Sequence, residues 1–287
     1  MEPNFKTIAD LFAVPFQADP TEDDIIRQEL EGNDSSESVE LGREALAHGD
    51  VAKAVEHFRR AIDQNGGATP DDHLNLATAY EFGDQFPQAM RQYIRAKAEK
   101  DSVDPLLGLA DIYKRYGRWR DAIEQLEAAI QVDPDHAPHH IKLAQTFRDM
   151  GERKRALAAA QNAVLANPEE AFYHYWSGDL LIEMKRYDEA LESLRAAIEL
   201  SPGDDLLYLR AAVAFWRTGR RPEAIKAVRL ASDLDPSRHL YHGLLGILYD
   251  EMDQPEEAHL ESDRAKKMDR FDHDDLSRIL FEMDIEP

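Results

Sequence analysis

The sequence predicts an all-α chain built as a stack of about seven helical hairpins, and three periodic observations predict it. Alanines at Ala54, Ala89, Ala122, Ala156, Ala190, Ala224 and Ala258 recur every 33 to 35 residues. Seven residues after each stands another: Ala61, Ala96, Ala129, Ala163, Ala197, Ala231 and Ala265. Five residues beyond the second alanine of four units come Pro134, Pro168, Pro202 and Pro236, which stop a helix because proline lacks the N–H that a helix interior needs. Seven residues are about two helical turns, so each alanine pair lies on one face and lets a second helix approach closely. A hairpin of this size cannot bury both apolar faces alone, so the copies must stack on one another.

In chain order, residues 1–34 are an acidic amino-terminal arm. Phe5, Ile8, Leu11 and Phe12 lie at helical spacing before Pro15, which gives a short apolar motif able to dock in a groove; residues 17–34 read as a polar linker. Asp34 with Glu37 has the form of a capping box and opens the first hairpin. The stack is expected over residues 35–270. Its first helices carry a small residue and then a large one three positions on: Ala77 and Tyr80, Ala110 and Tyr113, Ala144 and Phe147, Gly246 and Tyr249. Its second helices place Phe58, Tyr93, Leu126, Leu194 or Val228 between the paired alanines. Turns are expected at Gly49, Gly83, Gly117, Gly151 and Gly219, with Pro87, Pro222 and Pro255 suited to the first turn of the following helix. Gly83 comes one residue early in its unit, which predicts a different turn there. Residues 271–287 place Leu276, Ile279, Leu280 and Met283 on one face behind a run of acids. They read as a capping helix that seals the last apolar face and shows its acids to water.

The chain has 287 residues, no cysteine and a formal net charge of −23. That charge argues against nucleic acid or an anionic membrane surface as a partner through long-range attraction. It is concentrated at the ends, with −8 in residues 1–37 and −5 in residues 271–287. Without cysteine there is no disulfide, thiol nucleophile or thiolate-held metal. The opening MEPNFKTIAD has neither a basic leader nor an apolar core, so a cytoplasmic location and no membrane insertion are expected.

The paired alanines, small–large pairs and closing prolines on this period resemble the tetratricopeptide repeat, over seven units in residues 35–270. The resemblance implies a right-handed α-solenoid acting as a protein–protein interaction scaffold. It puts the first helix of each hairpin on the inner surface, and there it places Lys114, Arg115, Lys142, Arg148, Arg210 and Arg217 with Tyr175, Trp176 and Trp216. Arg43, Asn75 and Phe172 fall on the same surface, as do the acids Asp111, Asp179 and Glu183. Bases and aromatics collected inside so acidic a chain imply a groove for a peptide or helix with acidic and apolar side chains. The family's carboxylate-clamp pattern is not matched, since only Asn75 falls in a clamp place. The aromatic usual early in the first helix is His73, His140, His174 or His242 in four units, so those inter-repeat contacts are expected to be partly polar.

His136, His139 and His140 beside Asp135, and His239 with His242, have spacings that could hold zinc. The packing positions of His140 and His242, and the break at Pro138, argue against it. No nucleophile–base set or phosphate loop stands out, and no catalytic residue, metal or cofactor is expected. The competing reading is a structural subunit or self-associating assembly factor that uses its ends or its amino-terminal motif.

Overall fold

The computed structural model describes residues 35–99, 102–267 and 273–285. The amino-terminal motif Phe5, Ile8, Leu11 and Phe12 lies outside them. Among the described residues there are fifteen α-helices and no strand. They are α1 (Ser35–Ala47), α2 (Val51–Asn65), α3 (Pro70–Phe82), α4 (Phe86–Glu99), α5 (Val103–Arg115), α6 (Trp119–Val132), α7 (Ala137–Asp149) and α8 (Arg153–Ala166). After these come α9 (Ala171–Glu183), α10 (Tyr187–Leu200), α11 (Asp205–Arg217), α12 (Arg221–Leu234), α13 (His239–Asp250), α14 (Pro255–Lys266) and α15 (His273–Met283). No described helix is long and apolar enough to cross a membrane.

Small residues hold the hairpins together. Every alanine of the repeating pairs is buried, none more than 8 % exposed, so the second helices meet their neighbours at backbone distance. Glycine does the same on some first helices. A Cβ added at Gly178 would lie 2.8 Å from Leu194 Cγ, and one at Gly108 only 2.3 Å from Tyr93 Cζ. Large side chains fill what remains, with Phe58, Leu126 and Leu194 at 1 % exposure or less.

One turn is reused throughout. After α1, α5, α7 and α11, Gly49, Gly117, Gly151 and Gly219 take φ of +67 to +78°, the left-handed conformation that closes a helix. The glycine N–H bonds back to a carbonyl three residues earlier and the next N–H reaches five back, as in Gly151 to Arg148 (2.8 Å) and Glu152 to Phe147 (2.8 Å). The turn after α3 has this geometry too. Gly83 has φ −91° and Asp84 takes the left-handed place at φ 54°, bonding Glu81 O, while Gln85 bonds Tyr80 O. The expected difference in turn shape is therefore a difference in residue: the early glycine leaves an aspartate in the strained position. Lys185 (φ 60°) and Asp253 (φ 54°) occupy it after α9 and α13.

The chain divides into two compact units between Gly108 and Leu109. In the first, α1 packs on α2, α2 on α3 and α3 on α4. In the second, α6 packs on α7 and each helix then packs on the next through α14, while α9 also meets α11. The last helix leaves this succession, because α15 lies on α11 and α13, the first helices of the final two hairpins. Its Leu276, Ile279, Leu280 and Met283 are buried, as the sequence pattern requires, and so is Ile285.

Candidate functional site

Inside the Leu109–Pro287 unit the inner-surface positions form a run of ion pairs between successive first helices. Lys142 Nζ on α7 is 2.8 Å from Asp111 Oδ2 on α5, and Lys114 Nζ is 3.5 Å from Asp149. Arg148 reaches forward to α9, with Nη2 3.0 Å from Asp179 Oδ2, and also pairs with Glu183; its guanidinium lies 5.3 Å from the Trp176 ring centroid. Asp179, 8 % exposed, is shared between Arg148 and Arg210 of α11. Partners in the main run are 31 residues apart, as between Asp111 and Lys142 and between Arg148 and Asp179. That is one helical turn short of the repeat. Lys114, Lys142, Arg148 and Arg210 are thus each matched by an acid of an adjoining repeat. Arg115 is exposed at the end of α5.

The run changes partner at its carboxyl end. One turn short of the next repeat from Arg210 stands Tyr241, not an acid, and one full repeat on stands Leu244, which is buried. The missing carboxylates come from α15. Glu282 pairs with Arg210, Arg217 Nη1 donates to the Glu282 carbonyl at 3.3 Å, and Arg217 lies 3.6 Å from Asp284. The turn that ends α15 is the one that ends the other first helices: Asp284 has φ 65°, and the Asp284 and Ile285 N–H groups bond Phe281 O and Leu280 O. This cap carries Asp284 to Arg217. Sequence reasoning put the acids of this helix in water, and Glu282 instead faces a guanidinium whose side chain is 11 % exposed. Among the described residues the buried Arg210 Nε–H has no acceptor.

The aromatics divide into open and closed. Phe172 is 49 % exposed, edge-on to Trp176 with ring centroids 6.3 Å apart. Trp176 packs on Ala137, Ile141, Ala163 and Tyr173. Tyr175 is half-buried, and burial together with the Asp179 carboxylate raises its phenol pKa. Phe172 and Tyr175 line a cleft of about 430 Å³ with Leu200, Leu206 and Leu207, rimmed by Glu169, Glu170 and Asp204. Trp216 is only 7 % exposed and lies under the Arg221 guanidinium, 4.9 Å from its ring centroid. It belongs to the packing beneath the face and is not offered to a ligand.

Sequence reading missed what the histidines do. His140 Nε2–H donates to Pro134 O at 2.8 Å and His174 Nε2–H to Pro168 O at 2.9 Å; Tyr208 OH does the same for Pro202 O at 3.0 Å. A donor six residues after the closing proline thus satisfies a carbonyl left free by the inter-hairpin turn. The signal was the recurrence of His or Tyr at that offset. His73 and His242 instead meet Gln92 and Glu261 on their second helices. His136 and His139 stack with ring centroids 4.1 Å apart.

Two family models, each described as tetratricopeptide repeat, match residues 141–205 and 181–248, and one described as bacterial transcriptional activator domain matches residues 34–170. No curated protein matches the chain. Among solved structures, the carboxyl-terminal part of a TPR repeat-containing protein from Cytophaga hutchinsonii has a TM-score of 0.70 at 15% identity, covering 83% of this chain and 98% of that one. MamA from Desulfovibrio magneticus has a TM-score of 0.54 at 21% identity over 61% of this chain and 98% of its own. YrrB, described as a TPR protein with an unusual peptide-binding site, has 0.52 at 19% identity over 65% of this chain and 96% of its own. At these identities the structural likenesses speak to the fold.

Proposed function

We propose that this chain, whose residues 141–248 match tetratricopeptide repeat family models, is a non-catalytic scaffold that binds a segment of another protein along α7, α9 and α11. The observation that carries this is Phe172, a large apolar side chain left half exposed beside a cleft that it lines with Tyr175, Leu200 and Leu206. In this reading an apolar side chain of the partner fills the cleft against Phe172, Tyr175 and Leu206. Aromatic and apolar walls supply most of the affinity at such sites.

Charge sets the direction of the segment. The acids Glu169, Glu170 and Asp204 at the rim disfavour a partner carboxylate there. Lys142 and Arg148 lie farther along the face in pairs that are 34 to 41 % exposed on the basic side. Half-solvated pairs of this kind contribute little to stability, so a partner carboxylate can exchange with Asp111 or Glu183 at small cost. Lys114 and Arg115 would extend the same strip. The likeness to YrrB supports the reading by fold. The test is capture of the partner by the full chain and by Phe172→Glu and Tyr175→Ala variants of it. Binding should fall at least ~10-fold with helical circular dichroism unchanged; undiminished capture by folded Phe172→Glu would overturn the proposal.

A further inference from the structure

We propose that the face of α11 and α13 beneath α15 is a second docking site, for an acidic amphipathic helix of another protein, and that α15 is the chain's own occupant of it. The seat is built for that ligand class. α15 packs on α13, where Leu244 holds the place that Arg210 holds one repeat earlier and is buried, as are Leu245 and Leu248. Arg210 and Arg217 stand at one end, and among the described residues the carboxylates that meet them come from α15 and the shared Asp179. The bound pattern is explicit: apolar residues at Leu276, Ile279, Leu280 and Met283, a carboxylate at Glu282, and the solvent-exposed Asp284 brought alongside Arg217 by a left-handed cap. A partner helix with apolar residues at i, i+3, i+4 and i+7 and acids at i+6 and i+8 would make the same contacts.

Two features make α15 exchangeable. It is a helix of 11 residues, too short to be stable alone in water, so it is helical only while docked. Among the described residues the buried Arg210 Nε–H has no acceptor, and a ligand that reached this group would gain a charge-assisted hydrogen bond. This inference deepens the scaffold reading but uses a different surface from the Phe172 cleft, so the two fail separately.

The experiment uses the full chain and a fluorescent peptide of residues 273–287 as the probe, read by anisotropy. Wild type, with its own α15 seated, should bind the peptide at least ~10-fold more weakly than Ile279→Asp, whose α15 cannot seat. Adding Arg217→Ala to Ile279→Asp should reduce peptide binding ~10-fold, whereas adding Phe172→Glu should leave it unchanged. If Ile279→Asp loses more helical circular dichroism than the 11 residues of α15 account for, Glu282→Ala with Asp284→Ala, which keeps the apolar contacts, carries the same prediction. Equal peptide binding by wild type and the opened variant, or none by either, overturns the proposal. So does a wild-type dimer in light scattering that Ile279→Asp abolishes, since the seat would then belong to a second copy of the chain.

Discussion

At the residue scale, the account rests on small side chains set where helices touch and on polar ones given specific acceptors. Gly108 is the sharpest case. The ring its Cβ would strike belongs to Tyr93, which is fixed because its hydroxyl donates to Glu81 at 2.6 Å. Gly108→Ala gains about 1 kcal/mol of helix propensity, but overpacking against a fixed ring costs roughly 1–3 kcal/mol. The variant should therefore lower the urea midpoint, and a midpoint at or above wild type would show that the ring moves freely. His139 gives a pH dependence. Its burial, the stacked His136, and His140 and Lys142 nearby hold its pKa below the ordinary 6.5, against an opposing pull from Asp133. The unfolded chain then binds more protons than the folded one as pH falls through 6.5, so stability is lost on that side. Urea midpoints at pH 7.5 and ~5.5 should differ less in His139→Gln than in wild type; an unchanged difference would exclude His139 as a source.

At the element scale the reused turn explains both what was legible in the sequence and what was not. The alanine pairs and closing prolines fixed fourteen helices in advance because they act through sterics alone, which a period records. Asp84 and Lys185 were not readable as turn residues, because the left-handed conformation is imposed on them by the helices each side. Lys185→Gly should stabilise the protein by up to about 1 kcal/mol, since relief of a left-handed lysine outweighs the extra freedom glycine has when unfolded. A lower melting temperature in that variant would contradict this. The terminal helix shows the other limit. Its apolar face was evident from Leu276, Ile279, Leu280 and Met283. Its position on α11 and α13 depends on Arg210 lacking an acid in the last repeat, a feature visible only once the pairing of Asp111 with Lys142 and of Arg148 with Asp179 is known.

At the scale of the whole molecule, the net charge of −23 coexists with a first-helix face whose bases are largely matched by acids. The sequence reading placed those bases on one surface with Asp111, Asp179 and Glu183 and inferred a groove for acidic and apolar side chains together. Matched pairs shift the weight to the apolar cleft at Phe172, because exchanging one carboxylate for another is nearly neutral. Partner affinity should accordingly weaken by less than ~3-fold between 50 mM and 500 mM salt, where a charge-led site would lose far more. Titration calorimetry at the two concentrations decides between them.

The most direct measurement is a hydrogen-exchange footprint of the full chain with its captured partner bound. The account predicts slowed exchange in the first turns of α9 and α11 around Phe172, Tyr175 and Leu206 and at the Leu200 end of α10, with α8, α12 and the rest of α10 unchanged. Protection confined to α8, α12 or the rest of α10 would contradict it.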